Sequence, residues 1–477
     1  MIPLSLAEVA STVDGQLSGA DPATPVTGPV EFDSRLVAPG GLFVAFPGEK
    51  VDGHDYAAAA YAAGAVAVVG TRPVPPVASG GAPMILVNDA LTAMAALARA
   101  VVDRLPELTV VGLTGSSGKT TTKDMVAQLL TGLGPTVAAA GSFNNELGHP
   151  YTVLKSTVDT RYLVLELGAR GAGHIRYLCE VAPPRIGVVL NVGVAHLGEY
   201  GSVEGIAQAK GELVEALPPD GLAVLNADDP RVAAMTARTK ARSVLVGEAA
   251  AAQVRAVDVV LDGRGRASYT LVTPDGEAPV TLGVSGRHQV GNSLAAAAVA
   301  RELGMPLSTL ADALGRLRPV STRRMDVFDR PDDVTVIDDS YNANPASMAA
   351  ALRALAAMAR GRRAIAVLGY MAELGGYERA GHEEVGRLVA ELGVDLLIVV
   401  GTPAAPIHDG AAAVASWEGK SVRVTEQEEA VALLRGEIRP GDVVLVKGSR
   451  YRTWVVADAL RGSETRTAVP GAAESSR

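Results

Sequence analysis

TVVGLTGSSGKTTTKD, residues 109–124, decides the fold class of this chain. An apolar strand runs into a glycine-rich turn, after which Met125, Val126, Leu129, Leu130 and Leu133 recur at helical spacing. Successive backbone N–H groups in such a turn, with a helix N-terminus behind them, form a cradle for phosphate. The candidate nucleotide-binding residues are therefore Thr114, Gly115, Ser116, Ser117, Gly118, Lys119, Thr120 and Thr121. Lys119 is placed to reach the β- and γ-phosphates of ATP, and the Thr120 hydroxyl to bind Mg²⁺ or Mn²⁺. The loop departs from the general phosphate-loop pattern, which wants glycine where Leu113 stands; Gly112 comes one place too early. The plainer alternative is an ordinary glycine turn before a helix. Strand, turn, Lys-Thr pair and helix in that order favour nucleotide binding.

Outward from the loop, near-continuous apolar runs at 109–113, 162–167, 186–191 and 222–226 alternate with helical patterns. Such alternation predicts a parallel sheet covered on both faces. Residues 254–284 break the rhythm with strand-like runs and Asp-Gly turns at 262–263 and 275–276, predicting a small antiparallel elaboration. A second α/β series follows, with strands at 334–337, 364–368, 396–400 and 443–446. Before the loop, short apolar strands at 42–46, 65–69 and 84–87 mix with alanine-rich helices, interrupted by a Pro- and Gly-rich loop at 73–83. The prediction is an α/β chain of three domains, 1–106, 107–319 and 320–461, with 462–477 a small, polar, disordered tail. The central domain is a phosphate-loop parallel sheet, and the last is doubly wound and Rossmann-like.

Composition narrows the function. At 477 residues with 48% hydrophobic and 20% charged residues, the chain can bury the cores of about three domains. A formal net charge of −9 argues against a nucleic-acid binder, though local basic groups can still hold an anionic substrate. The one cysteine, Cys179, excludes an intramolecular disulfide and a multi-cysteine metal site, and reads as a small buried residue. The N-terminus lacks the basic start and apolar run of a signal peptide, and no stretch has the length of a membrane span. A cytoplasmic protein is expected.

Three further residues bear on chemistry. Glu166 ends the run LVLEL and His196 follows VVLNVGVAH, so both fall past the carboxyl ends of predicted parallel strands, where open α/β sheets bind ligands. A carboxylate and an imidazole there suit Mg²⁺ or Mn²⁺ screening the phosphates. His196 alone fits a hydrogen-bonded structural role equally well. In GSVEGIAQAKGELVEAL, Lys210 borders the stripe of Ile206, Ala209, Leu213 and Leu217. Periodicity favours a lysine carrying its amine out to solvent. The alternative is a desolvated, neutral amine able to capture CO₂ as a carbamate, which turns a cation into an anionic metal ligand.

Taken together, these residues resemble the Mur ligases of peptidoglycan synthesis, which share a GxxGKT loop, a Glu, a His and a carbamylated Lys. The resemblance spans about residues 25–455. It rests on FDSRLVAPGGLFVAFPGEKVDGHDY (32–56), GSFNNELGHP (141–150), HLGEYGSVEGIAQAKGE (196–212), HQVGNSLAA (288–296), IDDSYNANPASM (337–348), VLGYMAELG (367–375) and VKGSR (446–450). It implies an ATP-dependent ligase, monomeric, whose substrates are UDP-N-acetylmuramoyl-tripeptide and D-alanyl-D-alanine. By resemblance the N-terminal domain holds the UDP end of the substrate, with Ser34, Arg35, Asn144 and Asn145 contacting the UDP-sugar peptide. Lys119 and Thr120 bind phosphate and Mg²⁺; Glu166, His196 and Lys210, as a CO₂-derived carbamate, organise the metals; and Asn292, Arg324 and Asp339 contact the nucleotide. Arg323, adjacent to Arg324, could serve in its place. In VLGYMAELG, relatives commonly carry an acidic residue where this chain has Tyr370. A relative adding the third amino acid would carry Asp-Asn-Pro in its C-terminal domain, and that tripeptide is absent here. A folylpolyglutamate synthetase would lack a UDP-binding domain like residues 25–100, and a nucleotide-binding regulator would have no need of the Lys119–Glu166–His196–Lys210 set.

Overall fold

A strand sandwiched between two layers must be apolar at every position, and Leu396–Val400 (LLIVV) and Ile186–Val189 (IGVV) are buried along their whole length. A computed structural model describes residues 1–48, 51–75, 82–193 and 197–462. His196, most of the 73–83 loop and the tail 463–477 lie outside the described residues. Contacts gather the chain into two units. The first comprises Met1–Asn191, Ala207–Val254 and Ala295–Pro306; the second comprises Val192–Ile206, Arg255–Leu294 and Leu307–Arg477.

The first unit holds a five-stranded sheet in the order Gln16–Ser18, Met84–Leu86, Ala67–Gly70, Leu42–Val44, Val30–Glu31, parallel except for its first pair. Phe43, Val68 and Met84 pack there against Ala57 and Ala60. It also holds six parallel strands in the order Arg242–Gly247, Leu222–Asn226, Ile186–Val189, Thr109–Thr114, Tyr162–Glu166, Thr136–Ala138. The four inner strands lie where the apolar runs predicted them. The two outer ones are less apolar, with half-buried positions, and left no comparable signal.

Gly112 and Gly187 are register partners on adjacent strands. A Cβ on Gly112 would come within 3.2 Å of Leu213 Cδ1, and one on Gly187 within 3.2 Å of both Leu213 Cγ and Leu217 Cδ1. The bare patch seats the helix Val203–Glu215, which carries Lys210. Gly112 is therefore displaced from the phosphate-loop pattern for a packing reason: it belongs to the helix seat.

In the second unit, Val254–Leu261, Arg266–Thr273 and Gly276–Ser285 form the expected antiparallel meander. Its six-stranded sheet runs Asp326–Asp329, Thr335–Asp338, Val443–Lys447, Ala364–Leu368, Leu396–Val400, Lys420–Val424, parallel except for the first pair. Apolar clusters cover both faces, one around Leu352, Leu355 and Val389, the other around Leu434, Val456 and Leu460. The partly exposed edge strands Asp326–Asp329 and Lys420–Val424 escaped the sequence pattern.

The helix Gly148–Val153 is buried at all of its residues. Neither ring nitrogen of His149 completes a hydrogen bond. Burial pushes its pKa from 6.5 to about 4, with the Leu178 backbone offsetting only part of the effect.

Gly112→Val should lower the unfolding midpoint in urea, costing about 1–3 kcal/mol through overpacking against Leu213; an unchanged midpoint would refute the seat. His149 adds a pH dependence whose sign is fixed. Below pH 6.5 the unfolded chain takes up a proton that the folded chain refuses until about pH 4, so stability falls as pH drops through that window. The loss between pH 7 and pH 5 should be about 2 kcal/mol. Urea titrations at both pH values should show His149→Leu flattening this dependence, and an equal loss in both proteins would contradict it.

Candidate active site

The phosphate loop is built by the end of one strand and held open by its neighbour. Thr109–Thr114 delivers the chain to the turn, and Gly118, with φ at 80°, turns it into the helix Lys119–Thr131. Asn191, just past the adjacent strand, braces the turn. Its Oδ1 accepts from Ser116 N at 3.0 Å and Ser117 N at 2.9 Å, and its Nδ2 donates to Ser117 O at 3.1 Å. Lys119 Nζ donates to Gly115 O at 2.8 Å, so the amine already lies over the loop that would hold phosphate.

Beside the loop, Glu166 ends its strand in register with Leu113. Only 1% of it is exposed. Thr120 Oγ1 donates to Glu166 Oε2 at 2.8 Å, and Asn144 Nδ2 donates to Oε1 at 2.7 Å. The Thr120 proton being so used, Ser142 Oγ, 2.7 Å away, donates to Thr120. Loop, carboxylate and the segment 141–150 are thus tied through one hydroxyl and one carboxylate. Among the described residues no group of three or more His, Cys, Asp or Glu side chains could hold a metal. A buried hydroxyl beside a buried carboxylate nevertheless suits Mg²⁺, which takes one or two protein oxygens and completes its shell with phosphate and water.

Lys210 does not reach out to solvent. It is 6% exposed, and its pKa is lowered well below the usual lysine value, first by burial and then by the positive Lys119. Both effects shift the balance toward the neutral amine relative to an exposed lysine, the direction the desolvated alternative requires. Sequence reasoning missed a second buried lysine, Lys123, one turn past Lys119. Its amine donates to the carbonyls of Ala139 and Gly141 and pairs with Asp124 at 2.7 Å. It fastens the start of the 141–150 segment to the phosphate-loop helix. Asn191, Ser142 and Lys123 were all unmarked in the sequence, since each acts on partners distant along the chain.

The other expected site residues divide between the units. In the first, Asn145 Oδ1 accepts from Gly148 N at 2.8 Å, and Tyr151 Oη donates to Glu31 Oε2 at 2.7 Å, tying segment 141–150 to the strand Val30–Glu31. Ser34 lies half-buried in the turn after that strand, where the exposed Arg35 pairs with Asp33 at 2.5 Å. In the second unit, buried Asn292 donates to Gln289 Oε1 at 2.8 Å. Asp339 accepts from Met325 N at 3.1 Å and pairs with buried Lys447 at 2.5 Å. Arg323 binds Asp458 at 3.1 Å, whereas the Arg324 guanidinium lies 4.2 Å from the Tyr341 ring centre. Tyr370, in the loop after the strand Ala364–Leu368, donates to Glu378 Oε2 at 2.6 Å.

Residues 29–101 match the Mur ligase family catalytic domain, residues 113–300 the Mur ligase middle domain, and residues 323–450 the Mur ligase glutamate ligase domain. A Mycobacterium bovis protein named UDP-N-acetylmuramoyl-tripeptide–D-alanyl-D-alanine ligase is 50% identical, over 98% of this chain and 99% of its own length. The crystal structure of MurF from Acinetobacter baumannii superposes with a TM-score of 0.86 at 31% identity, covering 97% of this chain and 99% of that one. MurF ligase from Thermotoga maritima, solved in complex with ADP, gives 0.79 at 30% identity over 92% of this chain and 98% of that one.

Proposed function

The chain belongs to the Mur ligase family, and from that premise we propose that it joins D-alanyl-D-alanine to UDP-N-acetylmuramoyl-tripeptide with ATP as co-substrate. The observation that carries this reading is identity along nearly the whole chain to ligases of that name. The product is the UDP-N-acetylmuramoyl-pentapeptide, a peptidoglycan precursor, with ADP and phosphate released.

The reaction has two steps. An oxygen of the tripeptide's terminal carboxylate attacks the γ-phosphorus, the bond to the β,γ-bridging oxygen breaks, and ADP leaves an acyl phosphate behind. The dipeptide's amine then attacks the acyl carbon, an amide forms and inorganic phosphate departs. The difficulty of the first step is bringing a carboxylate up to a polyanion. The residues Thr114–Thr121 surround the phosphates. With the N–H groups of Ser116 and Ser117 held by Asn191, those at the start of the helix Lys119–Thr131 are the donors, and Lys119 supplies a positive charge at the transferring group. Thr120, Glu166, His196 and a carbamylated Lys210 are the proposed metal ligands. Mg²⁺ held there would screen the phosphate charge. Lys210 gains its carbamate when its neutral nitrogen bonds the carbon of CO₂ and sheds a proton; burial supports this by favouring the neutral amine.

In this reading residues 1–106 hold the UDP-sugar, with Ser34 and Arg35 against it, and Asn144 and Asn145 meet the peptide. Glu166 receives both the Asn144 amide and the Thr120 hydroxyl, which supports placing peptide and phosphate at one carboxylate. Asn292, Arg324 and Asp339, in residues 107–319 and 320–461, are the proposed nucleotide contacts. Arg323, which binds Asp458, is the alternative to Arg324.

Purified protein should release ADP only when ATP, UDP-N-acetylmuramoyl-tripeptide and D-alanyl-D-alanine are present together, and no release above background would end the proposal. Lys210→Ala should lower kcat at least a hundredfold and recover in part with formate or acetate. Undiminished activity in that variant would exclude the carbamate.

A further inference from the structure

The helix His174–Val181 begins without a cap of its own. Its N-cap position is Gly173, which has φ at 86° and no side chain to offer. The first N–H groups of a helix have no partners within it and need acceptors from elsewhere. Glu212, on the helix Val203–Glu215, supplies them. One carboxylate oxygen accepts from Gly173 N at 2.6 Å and the other from Arg176 N at 3.0 Å. The side chain is buried, at 3% exposure, and a carboxylate at a helix N-terminus also meets the positive end of the helix dipole.

Glu212 stands two residues beyond Lys210, which puts the two side chains roughly 200° apart around their helix. Lys210 feels Lys119 of the phosphate loop, while Glu212 holds the neighbouring helix. On a third bearing, Leu213 lies over the bare strands at Gly112 and Gly187. An apolar seat sets the distance between helix and sheet but resists rotation weakly, because dispersion has little directionality. Two hydrogen bonds to fixed backbone donors do constrain rotation, and a rotation of this helix would swing the Lys210 amine. A misplacement of about 1 Å in a reacting group can cost on the order of a hundredfold in rate. The capped helix reaches the 141–150 segment as well, since His174 contacts Glu146 and its Nδ1 accepts from Arg170 N at 3.2 Å.

We propose that Glu212 is a positioning residue which, by capping the helix His174–Val181 from outside, sets the rotation of the lysine helix and so the place of the Lys210 amine. Its consequence for catalysis rests on the ligase reading given above; the cap itself does not.

The test uses full-length Glu212→Ala and Glu212→Gln, the latter keeping one carbonyl acceptor. Three quantities are measured: amide hydrogen exchange, the ¹³C carbamate resonance of protein equilibrated with ¹³C-bicarbonate without ATP, and kcat with KM for ATP. For Glu212→Ala, exchange across residues 170–177 should quicken at least tenfold while the helix Lys119–Thr131 stays within twofold. The carbamate resonance at fixed bicarbonate should fall several-fold and kcat at least tenfold, with KM for ATP within twofold of the parent. Glu212→Gln should lie between, and it carries the test if the alanine variant does not fold. Quickened exchange with carbamate and kcat unchanged would reduce Glu212 to a structural cap and overturn the proposal, as would unchanged exchange. Absence of the resonance in the parent protein would instead refute the carbamate at Lys210, leaving Glu212 to be judged on exchange and on the kcat–KM split.

Discussion

A carboxylate withdrawn from water must be given hydrogen-bond donors, and the candidate site is organised around satisfying one. Glu166 is buried at the end of a parallel strand, and its two oxygens take the Thr120 hydroxyl and the Asn144 amide. Leaving either oxygen bare would cost about 1–3 kcal/mol, more if the group is charged. The phosphate loop and the 141–150 segment are therefore held to the same point by one requirement. Both donors are neutral and exchangeable, so a divalent cation can take over the oxygens without leaving a buried positive side chain stranded.

The surrounding packing serves the same point. Parallel strands bring the loop, Glu166 and Asn191 to their shared carboxyl ends because every crossover returns through a helix. Bare strands at Gly112 and Gly187 let the lysine helix come close to the sheet. Lys123, fully buried in the phosphate-loop helix, fixes the carbonyls that lead into segment 141–150. Tyr151 continues the connection to Glu31 in the N-terminal sheet, with its ring 4.9 Å from Phe32.

Much of this was readable in the chain and some was not, for a physical reason. The phosphate loop and the inner strands depend on local spacing and on apolar runs, so 109–124, 162–167 and 396–400 announce themselves. Glu166 was legible from its place at a strand end. Whether Lys210 was buried or snorkelled was not, because its stripe position permits both and only the seat formed by Gly112 and Gly187 decides. Asn191 acts on a residue 75 positions away, Glu166 on one 46 away, and Glu212 on one 39 away. No periodicity encodes such pairings. The edge strands were lost for the converse reason: Lys420–Val424 (KSVRV) mixes charged, polar and apolar residues, is buried at no position and carries no buried-strand signature.

The contrast between the two buried lysines of the first unit shows why burial alone does not make a reactive amine. Lys123 is the more deeply buried, yet its donors are met by two carbonyls and the Asp124 carboxylate. Its amine has given its hydrogen bonds to structure and is committed to them. Lys210 sits instead where burial comes with a second cation nearby, and both depress its proton affinity. A neutral nitrogen is a nucleophile and an ammonium is not. In a chain of net charge −9, one positive group set against another in a dry place is what lowers the proton affinity of Lys210, and Lys119 is that second group.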